Sequence, residues 1–560
     1  MLTPLVKVNA MFAQYRTAIF CGTVFLLLLG AGSFLPPGAV WITDNGNKYI
    51  MMRHFAQGGG KVITHAVPEL FPTGGFHFVK VPQGAVSFYQ PYLSWISSSF
   101  YKLFGERGAL FFPVLATLLL LYLVWKHWKI PPPVLLLCTP LFFYSLLLWE
   151  MTPGVFLTVA AFILIEKKLP FAAGLVLGAS LLMREEAYFA GAACGGAFLF
   201  CKRWRELLKF SGGFLCAALP LWGYQWMADG HFLGVHGKNY YVNNNANFTL
   251  VSQCRAAFFN FYHHLLRFDS WGNSKFNYLA FSALLLIGAG AAPRFRAWKK
   301  FKFAALGIYL CAMALLAAGA WFQKNIIYTA SLMTGLLTAT PLIAGALLNW
   351  RALLLRRKRR FLVLTVLLYI LVVPLLMTAS DVGLVWGARH FLLLLPLLIL
   401  LSYEGFCLWA GKKRGRALFC AAALLSAVIQ LFGLWALYRV SSDSHALEQV
   451  ILGRSEKVIV TDIFYIPEQM PRLFFEKNVL QLITAGDVKV LKNYMASQKK
   501  KEFLLLISPQ FRRMNDTVLK ELLTAFPLTE EPKLLSGKGG FPAFYAGNCT
   551  FAPSRFRAEK

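Results

Sequence analysis

Acidic side chains are scarce in this chain, with 25 Asp and Glu against 56 Lys and Arg in 560 residues. One of them, Asp44, comes just after the first long apolar segment, which covers roughly residues 17 to 36. It lies in the stretch Trp41-Ile-Thr-Asp-Asn-Gly-Asn-Lys-Tyr49. A carboxylate set at a membrane surface by the first spanning helix can take a proton from a hydroxyl, a role that contributes about 10²–10⁴-fold to a rate. Glu69 in the same loop and Glu150 at the end of a later apolar run are the other carboxylates placed for such work. A second group is cationic. Arg184 and Arg389 fall at the outer ends of apolar segments, and His390 follows Arg389. A guanidinium pairs phosphate oxygens through its planar fork, and fixed cations stabilise a leaving phosphate as its charge grows. Lys324, between two outer helix ends, is a further phosphate candidate. Each residue also has a plainer reading. Asp-Asn-Gly is strong turn chemistry. Glu150 can simply mark the end of a span. Arg184 has Glu185 and Glu186 beside it to pair with. Arg389 and His390 can snorkel to the interface.

The elements that must hold these residues are membrane helices. Hydrophobic residues make up 57% of the chain, charged residues 14%, and the mean hydropathy is +0.55. A soluble domain carries about 25% charged residues. Runs such as 361–377 and 391–409 approach the roughly 20 residues that span a bilayer, and in hydrocarbon such runs must be helical. They lack the alternation of a membrane barrel. The net charge of +31 is no sign of nucleic-acid binding, because the basic residues cluster in short gaps between apolar runs. Lys126 and Lys129, Lys167 and Lys168, Lys202 to Lys209, Arg294 to Lys302, Arg351 to Arg360 and Lys412 to Arg416 occupy every second gap. That alternation marks those gaps as cytosolic. Windowing gives about 13 spans, at roughly 17–36, 108–125, 132–149, 153–166, 169–184, 187–201, 210–227, 276–292, 303–322, 328–349, 361–378, 390–410 and 417–438. The first is read as a retained span, since no small-residue cleavage site precedes Asp44. Lys7 and Arg16 make the amino terminus cytosolic, so an odd count puts the carboxy terminus outside.

Three segments lie outside the spans. The outer loop 37–107 contains Tyr89 to Phe104, with aromatics and aliphatics on one helical face and serines on the other. It reads as a helix lying on the outer leaflet. The loop 228–275 is rich in Asn, His and Tyr; His231, His236, His263 and His264 suit a solvated loop better than a divalent-metal site. The tail 439–560 is long enough for one domain. Its stretches Lys457–Asp462 and Glu502–Ser508 read as buried parallel strands, so the expected organisation is a membrane part, 1–438, followed by an outer α/β domain. The ten cysteines match no structural zinc spacing, and no cofactor is expected. Cys254 and Cys549 both fall on the outer side, where a disulfide is chemically allowed.

Four stretches carry a resemblance to a family. Asp44-Asn-Gly-Asn-Lys-Tyr49 follows the first span. Thr139 to Ser145 runs into Trp149-Glu150. Gly174 to Gly178 leads to Met183-Arg-Glu-Glu186. Trp386-Gly-Ala-Arg-His-Phe391 is followed by Pro396. In this order, on the outer face, they resemble motifs of the GT-C superfamily of membrane glycosyltransferases. The similarity is greatest to the group of protein O-mannosyltransferases and the lipid A aminoarabinose transferase. The resemblance covers the whole membrane part. It implies a GT-C-type polytopic helical fold with an outer domain and a polyprenyl-phosphate sugar as donor. The acceptor it leaves open is a hydroxyl on a lipid, glycan or protein. It implies that Asp44 is the base, that Lys48, Tyr49 and Trp386 belong to the substrate-facing loops, and that Arg184, Arg389 and His390 face the donor phosphate. Two departures stand out. Asn45 follows Asp44 where many relatives have a second acid, which leaves Glu69 as the nearest other carboxylate of the loop. His390 stands where tyrosine is usual. A transporter or flippase of a lipid-linked sugar is the alternative, and it would need polar groups near the midplane of several spans.

Overall fold

The computed structural model describes residues 22–72, 77–238, 254, 255, 257, 260, 261, 278–291, 296–322, 335–376, 387, 389–463, 465–500, 502–507, 514–536 and 543–550. The chain packs as two compact units, Met1–Phe34 with Leu110–Ala436 and Leu35–Ala109 with Leu437–Lys560. The sequence reading grouped the loop 37–107 with the spans. Packing groups it with the tail instead, because Val67 and Leu70 of the loop enter the same apolar cluster as Val458, Val460 and Leu480 of the tail.

The first unit is helical. Among the described residues of the whole chain, four helical runs are long and apolar enough to cross a bilayer: Tyr92–Trp128, Arg357–Leu376, Arg389–Ala410 and Lys412–Leu452. Shorter apolar helices include Met151–Glu166, Pro170–Leu182 and Ala187–Phe200. Two expected spans are broken rather than continuous, each at a proline that cannot donate a backbone hydrogen bond. The run 132–149 divides into Pro132–Leu137 and Leu141–Ser145 at Pro140. The run 328–349 contains Leu336–Ala339, Pro341–Ile343 and Ala344–Leu348. Freed backbone groups need partners where water is absent, and neighbouring helices supply them. Gln430 donates to the Ala339 carbonyl, Ser402 to the Leu342 carbonyl, and the Leu342 N–H donates to Ser426 Oγ at 2.9 Å.

The glycines noted at 174 and 178 are explained by a helix crossing. A Cβ at Gly174 would lie 1.9 Å from the Phe210 carbonyl oxygen, and one at Gly213 would lie 2.0 Å from that of Phe171. The Pro170–Ala179 and Trp204–Asp229 helices therefore touch backbone to backbone, the close approach that small residues permit in membranes.

Among its described residues the second unit holds two sheets. β1 (Val62–Thr64), β2 (Phe78–Val81) and β3 (Gly84–Ser87) form an antiparallel sheet in the order β1-β3-β2. The tail adds β4 (Val458–Thr461), β5 (Asn478–Gln481), β6 (Glu502–Ile507), β7 (Lys533–Ser536) and β8 (Ala543–Thr550) in the order β5-β4-β6-β8-β7. The two expected tail strands are β4 and β6, parallel neighbours. Alternation along β4 feeds two cores. Val458 and Val460 pack with Val488, Leu491 and Leu522, while Ile459 packs with Ile463, Ile466 and Leu447. The Tyr92–Phe104 helix turns Ser94, Ser97 and Ser98 inward and leaves Trp95, Leu103 and Phe104 exposed.

The Gly174 contact makes a prediction. Gly174→Val should push the two helices apart at a cost of about 1–3 kcal/mol from overpacking. It should be seen as a lowered unfolding midpoint of the detergent-solubilised protein. An unchanged midpoint would mean that the crossing is not tight.

Candidate active site

Asp44 is not in a turn. It sits in the first turn of the helix Thr43–Ala56, where a negative charge is favoured by the helix dipole. Asn45 explains the difference from the turn expectation. Its side-chain oxygen accepts the backbone N–H groups of Trp41 and Ile42, both at 3.0 Å, and its amide donates to the Ala39 carbonyl at 3.2 Å. The amide thus ties the incoming chain to the head of the helix. Asp44 is buried, at 7% exposure.

The partner of Asp44 is His77. One carboxylate oxygen of Asp44 lies 3.4 Å from His77 Nε2, and His77 Nδ1 lies 2.8 Å from Glu468 Oε2. Asn47 closes the group. Its amide donates to Glu468 Oε1 at 3.4 Å and to the His77 carbonyl at 3.0 Å, and its oxygen accepts from Ser87 Oγ at 2.7 Å. Tyr89 stacks on the imidazole with ring centroids 5.8 Å apart, and the buried Lys48 ammonium lies 3.9 Å from the Tyr89 ring centroid. Burial alone would pull the imidazole pKa down. Glu468 and Asp44 outweigh it and push the value up from 6.5 to about 10, so the ring is an imidazolium at neutral pH. Burial pushes the Glu468 carboxyl up, opposed by His77 and Asn47. The two carboxylates face opposite nitrogens of one ring and do not converge. Among the described residues no group of three His, Cys, Asp or Glu could hold a metal ion.

Glu69 lies elsewhere, in the 3₁₀ turn Pro68–Leu70, where its carbonyl accepts from Lys80 Nζ at 2.6 Å. The structure brings Glu468, not Glu69, to the His77 imidazole that faces Asp44. Tyr49 is buried against Tyr101 with ring centroids 6.4 Å apart, and burial pushes its phenol pKa up.

In the first unit the cationic candidates form a separate cluster. Arg184 donates to Glu150 at 2.9 Å and also to Glu186. Glu186 also pairs with His390 Nδ1. Tyr369 donates its hydroxyl to the His390 carbonyl at 2.6 Å. Arg389 Nε lies 3.2 Å from His390 Nε2, and its guanidinium carbon is 6.0 Å from the Trp149 ring centroid. Arg184, Glu150, Glu186 and His390 are buried, whereas Arg389 is half-buried. Gly154 makes room for Arg184, since a Cβ there would lie 2.6 Å from Arg184 Cγ. Arg184 is thus shared between two carboxylates, one of them the Glu186 that the plainer sequence reading offered it. Lys324 and Trp386 lie outside the described residues, as do His263 and His264. Cys254 and Cys549 are both free thiols.

His77, Glu468, Asn47 and Ser87 were missed by the sequence reading. A signal existed for His77, which shares the first outer loop with Asp44. For Glu468 the signal was its place just after a buried parallel strand, where open α/β sheets put functional residues.

The chain is similar over 97% of its length to two solved structures of ArnT from Cupriavidus metallidurans, each covered to 99%. One is bound to undecaprenyl phosphate, with 14% identity and a TM-score of 0.45; the other is the apo state, with 12% identity and a TM-score of 0.44. No protein-family model and no curated protein matches the chain. At this level of likeness the assignment of residues and reaction rests on the chemistry of the site.

The His77 pairing predicts a pH dependence. The free imidazole titrates near 6.5 and the folded one near 10. The stability this pairing contributes is therefore full below the lower value and is lost as pH rises through the upper one. The unfolding midpoint of the full-length protein should fall across that window, and His77→Gln should flatten the fall. An equal slope in both proteins would remove the imidazolium from the account.

Proposed function

We propose that the protein is an integral membrane glycosyltransferase that moves a sugar from a polyprenyl-phosphate carrier to an acceptor hydroxyl. The observation that carries this reading is Asp44, a buried carboxylate aligned by an imidazolium at the head of a helix. In this reaction Asp44 takes the proton of the acceptor hydroxyl as its oxygen bonds to the anomeric carbon of the sugar. The bond from that carbon to the carrier's phosphate oxygen breaks, and its electron pair leaves with the polyprenyl phosphate. Attack opposite the leaving group inverts the anomeric configuration. Arg389, half-buried and stacked near Trp149, is the cation best suited to the departing phosphate. Arg184, which also pairs with Glu150, holds Glu186, and Glu186 holds His390 beside Arg389. Lys324, Lys48, Tyr49 and Trp386 remain the candidate contacts to the substrates. The acceptor is a lipid, glycan or protein, and no cofactor is required. The basic gaps support an inner-membrane location with the tail outside. A reporter fused after Lys560 should be active only outside the cytosol, and cytosolic activity would reverse the assigned sidedness.

The test of the reaction is sugar transfer by the purified protein from a synthetic polyprenyl-phosphate sugar. Asp44→Asn keeps the shape of the side chain and should lower turnover by about 10²-fold or more while the protein still folds. Near-normal turnover would reject Asp44 as the base. In the same assay Arg389→Ala should weaken donor binding by about 2–5 kcal/mol. Arg389→Lys should recover only part, because a point charge does not reproduce the planar fork. Full recovery by lysine would leave Arg389 as an anchor to the membrane surface.

A further inference from the structure

The tail contributes one charged side chain to the Asp44 group. We infer that Glu468 is a positioning residue of the base: it fixes the His77 ring with Nε2 turned to Asp44, so that the tail completes the centre. This inference rests on the transferase reading.

Three observations converge. The first is the chain of contacts, Asp44 to His77 Nε2 at 3.4 Å and His77 Nδ1 to Glu468 at 2.8 Å. A carboxylate on the far nitrogen of an imidazole sets the orientation of the near one. The second is the approach of the two backbones. A Cβ at Gly46 would lie 1.6 Å from the Glu468 carbonyl oxygen, so only glycine lets the Asp44 helix meet the tail at this point. One residue later, Asn47 bonds Glu468 directly. The third is the mounting of Glu468. It belongs to the short helix Ile466–Gln469, which follows the C-terminal end of β4 and is anchored by Ile463 and Ile466 in the core. The ends of parallel strands are rigid platforms for functional groups.

Charge makes a covering role a poor account of Glu468. Burying a carboxylate is costly unless it is paired and hydrogen-bonded. A tail that only covered the site would pack as well, or better, with an apolar side chain there. Among the described residues His77 meets Asp44 from the Thr43–Ala56 helix, Tyr89 after β3 and Glu468 from the tail, and the Lys48 ammonium lies over the Tyr89 ring. With Glu468 neutral the ring loses one of its two carboxylates, and its charge and orientation at neutral pH are no longer held.

Glu468→Gln in the full-length protein keeps the shape and the bond from Asn47 while removing the charge. Two readouts are needed. The first is the titration of His77 by NMR of ¹³C-histidine-labelled protein, assigned by loss of the signal in His77→Gln. The second is kcat and KM against pH for transfer from a polyprenyl-phosphate sugar. The expected result is a His77 midpoint lowered by about one pH unit or more, as for loss of an adjacent opposite charge. With it should come a kcat reduced about 10–100-fold, an alkaline limb moved in the same direction, and an unchanged donor KM. An unmoved midpoint overturns the inference. A moved midpoint with an unmoved kcat profile also overturns it, because Glu468 would then serve folding alone. In the His77→Gln background, Glu468→Gln should cost no further kcat, and an additive loss would separate the two residues. If Glu468→Gln does not fold, Glu468→Asp replaces it. Retained charge should then keep the His77 midpoint near its original value, and a fall as large as that expected for a neutral side chain rejects the inference. Absence of transfer by the unmodified protein from every polyprenyl-phosphate sugar rejects the transferase reading itself, while the titration still reports the pairing separately.

Discussion

The Asp44 carboxylate is taken out of water at the head of its helix, and the His77 imidazolium is what compensates it there. A second carboxylate reinforces that pairing against burial, which by itself pulls the imidazole pKa down. Glu468 supplies it, and Asn47 supplies the hydrogen bond that Glu468 still lacks. Each member is explained by the cost of leaving the previous one unpaired. The same rule shapes the first unit. Arg184 closes on Glu150 and Glu186. Toward the basic gaps, Arg359 closes on Glu166 and Glu404, with Trp128 donating to Glu166 at 2.7 Å. In a chain with so few acids, many of the buried or half-buried ones join the ends of different helices. Their partners lie far apart in sequence, so the pairs fix how the helices of the unit pack.

Periodicity and charge spacing made the helical class, the basic gaps and the parallel pair β4–β6 legible, since each is written within a few tens of residues. The partners of Asp44 were not legible in the same way. Glu468 stands 391 residues from His77 and 421 from Asn47, and nothing local links them. Glu69 was favoured because it shares a loop with Asp44, but nearness along a loop does not bring side chains together when β1, β2 and β3 fold that loop into a sheet. Likewise, Asp-Asn-Gly carries turn chemistry in isolation. Asn45 spent its side chain on the incoming backbone, and Gly46 was kept for its lack of a Cβ, so the same three residues start a helix. The broken spans at Pro140 and Pro341 were readable as prolines. Their consequence depended on Ser402, Ser426 and Gln430 arriving from later helices to satisfy the freed backbone.

Arg184 and Arg389 looked alike in sequence, each an arginine at the outer end of an apolar run. Packing separates them. A guanidinium buried between two carboxylates has its charge more than balanced, and breaking such a pair leaves an uncompensated buried charge at a cost of about 3–5 kcal/mol. Such a residue is valuable as a fixed strut and poor as a receptor for a ligand that comes and goes. A phosphate needs a cation whose charge the protein has left partly exposed and whose direction it has nonetheless set. Under the proposed reaction Arg389 is the better candidate of the two. It is half-buried, its neighbour His390 is held by Glu186 and by the Tyr369 hydroxyl on the backbone, and Trp149 lies beneath its guanidinium. The buried arginine thus helps to fix where Arg389 stands, through Glu186 and His390. The histidine at position 390 suits this arrangement, because an imidazole pairs with Glu186 through one nitrogen while the other lies beside Arg389.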